Sequence, residues 1–226
     1  MQIKRVVIAL AVALIIVGLY FGGLKDWVSL EGLKNNSAYF KTMVDRNYWF
    51  SAMVFIGAYM LAMAASLPIV APLSLLGGFL FDTLPGACFS ALGAATGSII
   101  YVVWFRHFLS ASMYEQFESQ LVKFKKNLSV YGKSYVLILH FVTVIPFFMI
   151  NTLGALADLS LFDVFWTTII GSGPVFLLFS YEGRQLGHIN SISDIFTPQF
   201  IFALGLLVLL ACMPMIIKRF RGSFDI

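Results

Sequence analysis

The stretch SLPIVAPLSLLGGFLF, residues 66–81, decides how this chain folds. It is uncharged and largely apolar, yet Pro68, Pro72, Gly77 and Gly78 punctuate it, and it closes a charge-free run that begins at Tyr48. Proline lacks the backbone N–H that a helix interior needs, and its ring clashes with the preceding turn. In a bilayer, backbone groups freed by such a break are tolerated only where protein or enclosed water satisfies them. The segment from Trp49 to Phe81 is therefore predicted to be a re-entrant helical hairpin, bent near Ser66 to Pro72.

The rest of the chain agrees with a membrane setting. Of 226 residues, 60% are hydrophobic and only 12% charged, and the mean hydropathy is +0.89. A soluble domain of this size keeps a large polar surface, whereas helices facing acyl chains must be apolar there. Cys88 and Cys212 both lie in apolar runs and read as small packing residues, not as a disulfide or a metal pair.

A helix crossing the hydrocarbon needs about 20 mostly apolar residues. Ile3 to Leu24 meets that requirement and carries no small-residue cleavage signal before Lys25 and Asp26, so it reads as a retained anchor. Lys25 to Asn47 is a charged, partly helical connector. Leu84 to Phe105 is the next span, with Gly93, Ala94, Ala95, Gly97 and Ser98 forming a small-residue face for close packing.

Ser112 to Tyr131 is different in kind. Met113, Phe117, Leu121, Phe124, Leu128 and Tyr131 recur every three or four residues, which makes an amphipathic helical stripe. Ser112 with Glu115 forms a capping box, Gly132 is a stop, and Lys123, Lys125 and Lys126 gather on the polar side. This helix is expected to lie along the membrane surface, where the lysines either face water or hold anionic lipid headgroups.

A second interrupted run, Tyr135 to Leu156, is broken at Pro146 and Gly154 and contains His140, Thr143 and Asn151. It is read as another re-entrant hairpin. Spans from Leu161 to Tyr181 and from Gln199 to Ile217 complete an all-α polytopic architecture of four spanning helices, two re-entrant hairpins and one surface helix. The expected organisation is an anchor and connector at residues 1–47, a core at 48–187, and a final helix with a basic tail at 188–226. This arrangement places ten of the fifteen lysines and arginines on the side of both termini, which the positive-inside rule assigns to the cytoplasm. A bacterial inner membrane is the expected location.

The two halves repeat. Pro68 precedes Gly93 by 25 residues, and Pro146 precedes Gly171 by the same interval; Gly78 with Asp82 recurs as Gly154 with Asp158. One span between the hairpins would make them enter from opposite faces, as in inverted-repeat transporters. The N-terminal amides of broken helices carry partial positive charge, so a pocket between them suits an anionic group such as phosphate.

The run from Ala71 to Phe81, followed by Gly93 to Gly97 and Arg106, resembles the DedA and SNARE-associated Golgi protein (VTT domain) superfamily. Pro146-Phe147 with Asn151, Gly154, Phe162 and the turn from Gly171 to Pro174 is similar to its second hairpin and the following span. The resemblance covers roughly residues 48–187. It implies two facing hairpins and the movement of lipids or lipid phosphates, of the phospholipid or undecaprenyl phosphate class, across a bilayer. A non-transporting scaffold or envelope-homeostasis factor is the alternative. The chain has His140 where the family often has arginine and Thr143 where it often has proline. Nothing acidic lies between Trp49 and Phe81, which argues against proton coupling.

His140, Asn151, Arg106 and Thr143 are the candidate substrate contacts, with Pro68, Pro72, Gly77, Gly78, Pro146 and Gly154 shaping the hairpins. His140 reads equally as a packed neutral histidine. Arg106 and Arg184, at span ends, are expected to snorkel to headgroups, and Asp82 and Asp158 to cap helix N-termini. No paired acid, activated nucleophile or histidine spacing suggests an enzyme, a metal or another cofactor. Membrane lipids are the expected partners and nucleic acid is not; a homo-oligomer is left open.

Overall fold

A computed structural model describes residues 37–107, 111–141 and 145–185, with Pro198, Ile201, Phe202 and Gly205. The expected first span and almost all of the expected last span fall outside these residues. The described residues are all-helical. The helices are α1 (Ser37–Arg46), α2 (Tyr48–Ala64), α3 (Val70–Phe81), α4 (Thr83–His107), α5 (Ala111–Tyr131), α6 (Ser134–Phe141), α7 (Phe147–Leu156) and α8 (Leu161–Arg184). The chain divides into two compact units, residues 1–48 and 49–226. In the first unit α1 turns part of the expected connector into helix; everything below concerns the second.

Two helices, α4 and α8, are long and apolar enough to cross a membrane, and α1 with α2 makes a third if they count as one broken span. At about 1.5 Å per residue, the 25 residues of α4 reach beyond the roughly 30 Å of a hydrocarbon core. Pro174 lies inside α8 without ending it.

Both predicted breaks are present. The first separates α2 from α3 across residues 65–69. There Leu67 N–H bonds Ala62 O and Ser66 N–H bonds Met63 O, both at 3.0 Å, with Ser66 at φ 58°. This is the hydrogen-bond pattern of a Schellman C-cap, with serine in the left-handed position that glycine usually takes. The second break ends at Pro146, which precedes the first residue of α7 with extended backbone. Proline suits that place because the first-turn N–H groups of a helix have no intrahelical acceptor.

The small-residue face of α4 works as predicted. A Cβ on Gly93 would lie 2.7 Å from Tyr59 Cβ and 3.1 Å from Ile56 O, so glycine lets α2 and α4 meet almost backbone to backbone. Gly171 does the same in the second half: a Cβ there would lie 2.7 Å from His140 Cβ and 3.1 Å from Leu137 O. Gly171 follows Gly93 by 78 residues, as Pro146 follows Pro68. The interval found in the sequence is thus a repeated packing contact, with Tyr59 and His140 in equivalent places. The long helices run antiparallel. Arg106, near the end of α4, reaches Leu159 just before α8 begins, while Gly86 near the start of α4 abuts Gly77, whose neighbour Gly78 abuts Ser180 near the end of α8.

Two expectations change. The stripe on α5 packs on protein: Leu121 and Phe124 are buried in a cluster with Val136, Ile150 and Leu153, with Phe117 and Leu128 against it. Lys123, Lys125 and Lys126 are left on the exposed side, and Gly132 stops α5 at φ 62°. Second, Asp158 does not cap α8. It sits at φ 55° in the turn after α7, and Ser160 is the cap, its Oγ accepting from Asp163 N–H at 3.0 Å. The Ser160 hydroxyl donates in turn to Asp163 Oδ2, and Lys133 and Trp166 engage Oδ1. Ser160 sits where the chain turns into α8, so only there can its oxygen meet the first-turn amide.

Candidate functional site

The two breaks meet at a partly open cavity of about 480 Å³. Ser66, Leu67 and Pro68 from the first break and Ile145 and Pro146 from the second line it, and α8 contributes Ser172, Val175 and Phe179. Its walls are mainly apolar, and no lysine, arginine, aspartate or glutamate is among its lining residues.

The polar groups it does contain are donors. Val70 and Ala71 open α3, Phe147 and Phe148 open α7, and all four line the cavity. Neither helix start receives a side-chain cap, so two positive helix-dipole ends converge there. The hydroxyls of Ser66 and Ser172 are buried and have no hydrogen-bond partner among the described residues. Ser172 is 1% exposed. A buried hydroxyl without a partner is unfavourable, by about 1–3 kcal/mol, and such a group facing a cavity is where a ligand oxygen would be welcome.

His140 also lines the cavity. Its Nδ1 lies 2.9 Å from Val136 O; a carbonyl only accepts, so that nitrogen carries the proton. Nε2 lies 3.3 Å from Thr168 Oγ, a long contact because Thr168 donates its own proton to Val164 O at 2.7 Å. The ring packs edge-on against Phe147. Tyr59, the equivalent residue in the first half, is fully buried, its hydroxyl 3.0 Å from Ser74 Oγ and 3.3 Å from Val70 O.

The other candidates lie elsewhere. Asn151 Nδ2 donates to Ser98 Oγ at 3.0 Å, and Tyr101 pairs with Thr152 at 2.8 Å, so the two buried pairs stitch α7 to α4. Arg106 donates to the carbonyls of Leu159 at 2.6 Å, Ala155 at 3.4 Å and Gly154 at 3.5 Å. Arg184 pairs with Asp82 at 3.2 Å, so both arginines expected to snorkel engage protein groups. Gly77 and Gly78 serve helix contact, Gly78 meeting the Ser180 backbone, while Gly154 supplies a carbonyl to Arg106. Pro72 occupies the first turn of α3 without lining the cavity. Thr143 lies outside the described residues. Sequence reasoning missed Ser66 and Ser172; both adjoin a proline-directed bend, which is the signal that could have raised them.

Comparison with known proteins assigns this arrangement to a family. The VTT domain model matches residues 67–185, from the first break through the end of α8. The chain belongs to the VTT domain family. It is similar to a protein called Transmembrane protein 41 homolog from Caenorhabditis elegans, with 22% identity over 194 residues, 84% of this chain and 79% of that protein. A Dictyostelium discoideum protein with the same name is 28% identical over 182 residues, 77% of this chain. The chain spans about half of that second relative, 53% of its length. Both belong to the DedA/VTT superfamily, as the first reading of the two halves expected. No solved structure matches the chain. Among the described residues no group of three or more histidine, cysteine, aspartate or glutamate side chains could hold a metal ion.

Proposed function

We propose that this VTT-family protein moves a lipid, or a lipid phosphate of the phospholipid or undecaprenyl phosphate class, across the bilayer. The observation that carries the reading is the cavity between the helix breaks, where two uncapped helix starts, His140 and two unpartnered hydroxyls face an otherwise apolar space. In this reading α2–α3 and α6–α7 are re-entrant hairpins entering from opposite faces, and the antiparallel α4 and α8 are spans. A cavity of this size accommodates a headgroup, and the acyl chains stay in the surrounding lipid. Apolar walls leave each helix-end amide poorly screened, which strengthens its attraction for an anion. The distribution of lysine and arginine supports cytoplasmic termini.

The test is fluorescent-lipid movement in proteoliposomes of the purified protein, with undecaprenyl phosphate as competitor and His140→Ala beside wild type. Movement that the competitor slows and His140→Ala reduces about tenfold supports the reading. Verified insertion with no movement of any lipid tested overturns it in favour of a membrane scaffold.

A further inference from the structure

The two arginines at the ends of α4 and α8 are equivalent, since Arg184 follows Arg106 by the 78 residues that separate Pro146 from Pro68 and Gly171 from Gly93. Each reaches across to the other half. Arg106, from the first half, holds the turn in which the second hairpin ends; Arg184, from the second half, holds Asp82, where the first hairpin ends. Both exit turns place an aspartate in the left-handed region, Asp82 at φ 69° and Asp158 at φ 55°.

The two grips are unequal. Arg106 is half-buried and spans three carbonyls, those of Gly154, Ala155 and Leu159. Gly154 and Ala155 already accept from Leu159 N–H and Asp158 N–H, and the guanidinium adds donors to the negative end of the α7 dipole. Arg184 makes one ion pair in which both side chains are exposed, 62% and 70%, so solvent screens it almost completely. The carbonyls equivalent to those that Arg106 holds are, by the Asp82-to-Asp158 interval, those of Gly78, Phe79 and Thr83. No arginine bond to them is present, and Thr83 Oγ is buried without a partner among the described residues.

We propose that Arg106 and Arg184 are a crossed pair of positioning residues, each locking the exit turn of the opposite hairpin, and that tight and loose grips exchange as the cavity changes the side it faces. In the state seen here the second hairpin is locked. In the exchanged state Arg184 leaves Asp82 for the carbonyls of Gly78, Phe79 and Thr83, and Arg106 lets go. Arginine suits the task because its planar fork can span several carbonyls, which a single lysine ammonium matches poorly. The inference rests on the transport reading for its two-sided cavity, but not on which lipid is moved.

The test measures which side the cavity faces. Ala71→Cys places a thiol on the cavity wall in a chain also carrying Cys88→Ser and Cys212→Ser. A membrane-impermeant maleimide is applied to right-side-out and to inverted vesicles, with no competitor lipid, and the ratio of the two labelling rates is recorded. Arg106→Ala is expected to shift this ratio about tenfold, Arg184→Ala to shift it in the opposite direction, and the double variant to return it toward wild type. Arg106→Lys and Arg184→Lys should give smaller shifts of the same sign, and they carry the test if an alanine variant does not insert. Singles that shift the ratio in one common direction, or not at all, overturn the proposal, as does failure of both the alanine and lysine variants to insert. Opposite shifts in a protein that moves no lipid would sink the transport reading and leave the crossed pair standing.

Discussion

Gly171 packs against His140 as Gly93 packs against Tyr59, with the same pair of distances in both halves. In a bilayer, helix association gains little from hydrophobicity, because lipid tails are as apolar as leucine, so close van der Waals approach between small residues carries much of it. Adding a methyl group at either glycine forces a 2.7 Å contact with a Cβ that cannot rotate away. Gly93→Ala and Gly171→Ala are expected to destabilise the folded protein by about 1–3 kcal/mol each. Gly173→Ala, with nothing within 4 Å, should be neutral or slightly stabilising through helix propensity. Thermal unfolding in detergent checks the set, and equal melting temperatures for Gly171→Ala and Gly173→Ala would refute the packing account.

Much of this fold was legible in the chain because the bilayer leaves few alternatives. Proline and glycine inside charge-free runs demand breaks, and the breaks appear at Ser66 to Ile69 and before Pro146. The matching 25-residue intervals pointed to a repeat, which the two glycine contacts make physical. The site was less legible. Asn151 and Arg106 were singled out for their polarity, yet polarity does not reveal direction: one meets Ser98 and the other the end of α7. Ser172 looked like one more small residue in a glycine-rich turn, and only its burial without a partner distinguishes it. Arg184 and Asp82 are more than one hundred residues apart, so nothing local announces their pairing.

Ser172 offers a separation of stability from function. Its hydroxyl has no partner to lose among the described residues, so Ser172→Ala removes a buried polar atom without stranding another. The variant should unfold at the same temperature as wild type or higher, while lipid movement falls severalfold. Unchanged movement would remove the hydroxyl from the ligand site.

The Asn151–Ser98 bond predicts coupling across the α4–α7 contact. Asn151→Ala should destabilise by about 1–2 kcal/mol, because Ser98 Oγ loses its donor in a fully buried place. Ser98→Ala should destabilise by less once Asn151 is already alanine. A double-mutant cycle is expected to give a coupling near 0.6 kcal/mol, roughly the average for hydrogen bonds between membrane helices. Strict additivity would mean that the two side chains do not interact.

At Ser66 the gain in stability and the loss of function should run in opposite directions. Its φ of 58° is a conformation that L side chains adopt at a penalty of about 1–2 kcal/mol and that glycine adopts freely. The Schellman bonds at Ser66 and Leu67 use backbone groups alone, so Ser66→Gly preserves both. Glycine's greater freedom in the unfolded chain offsets part of the gain, leaving a net stabilisation of up to about 1 kcal/mol. Yet the substitution deletes one of the two unpartnered hydroxyls lining the cavity. Ser66→Gly should therefore melt higher than wild type and move lipid more slowly, whereas Ser66→Ala should slow movement without the gain in melting temperature. If Ser66→Gly were more stable and moved lipid at the wild-type rate, serine at this break would be conformational baggage, and ligand recognition would fall to Ser172, His140 and the helix starts alone.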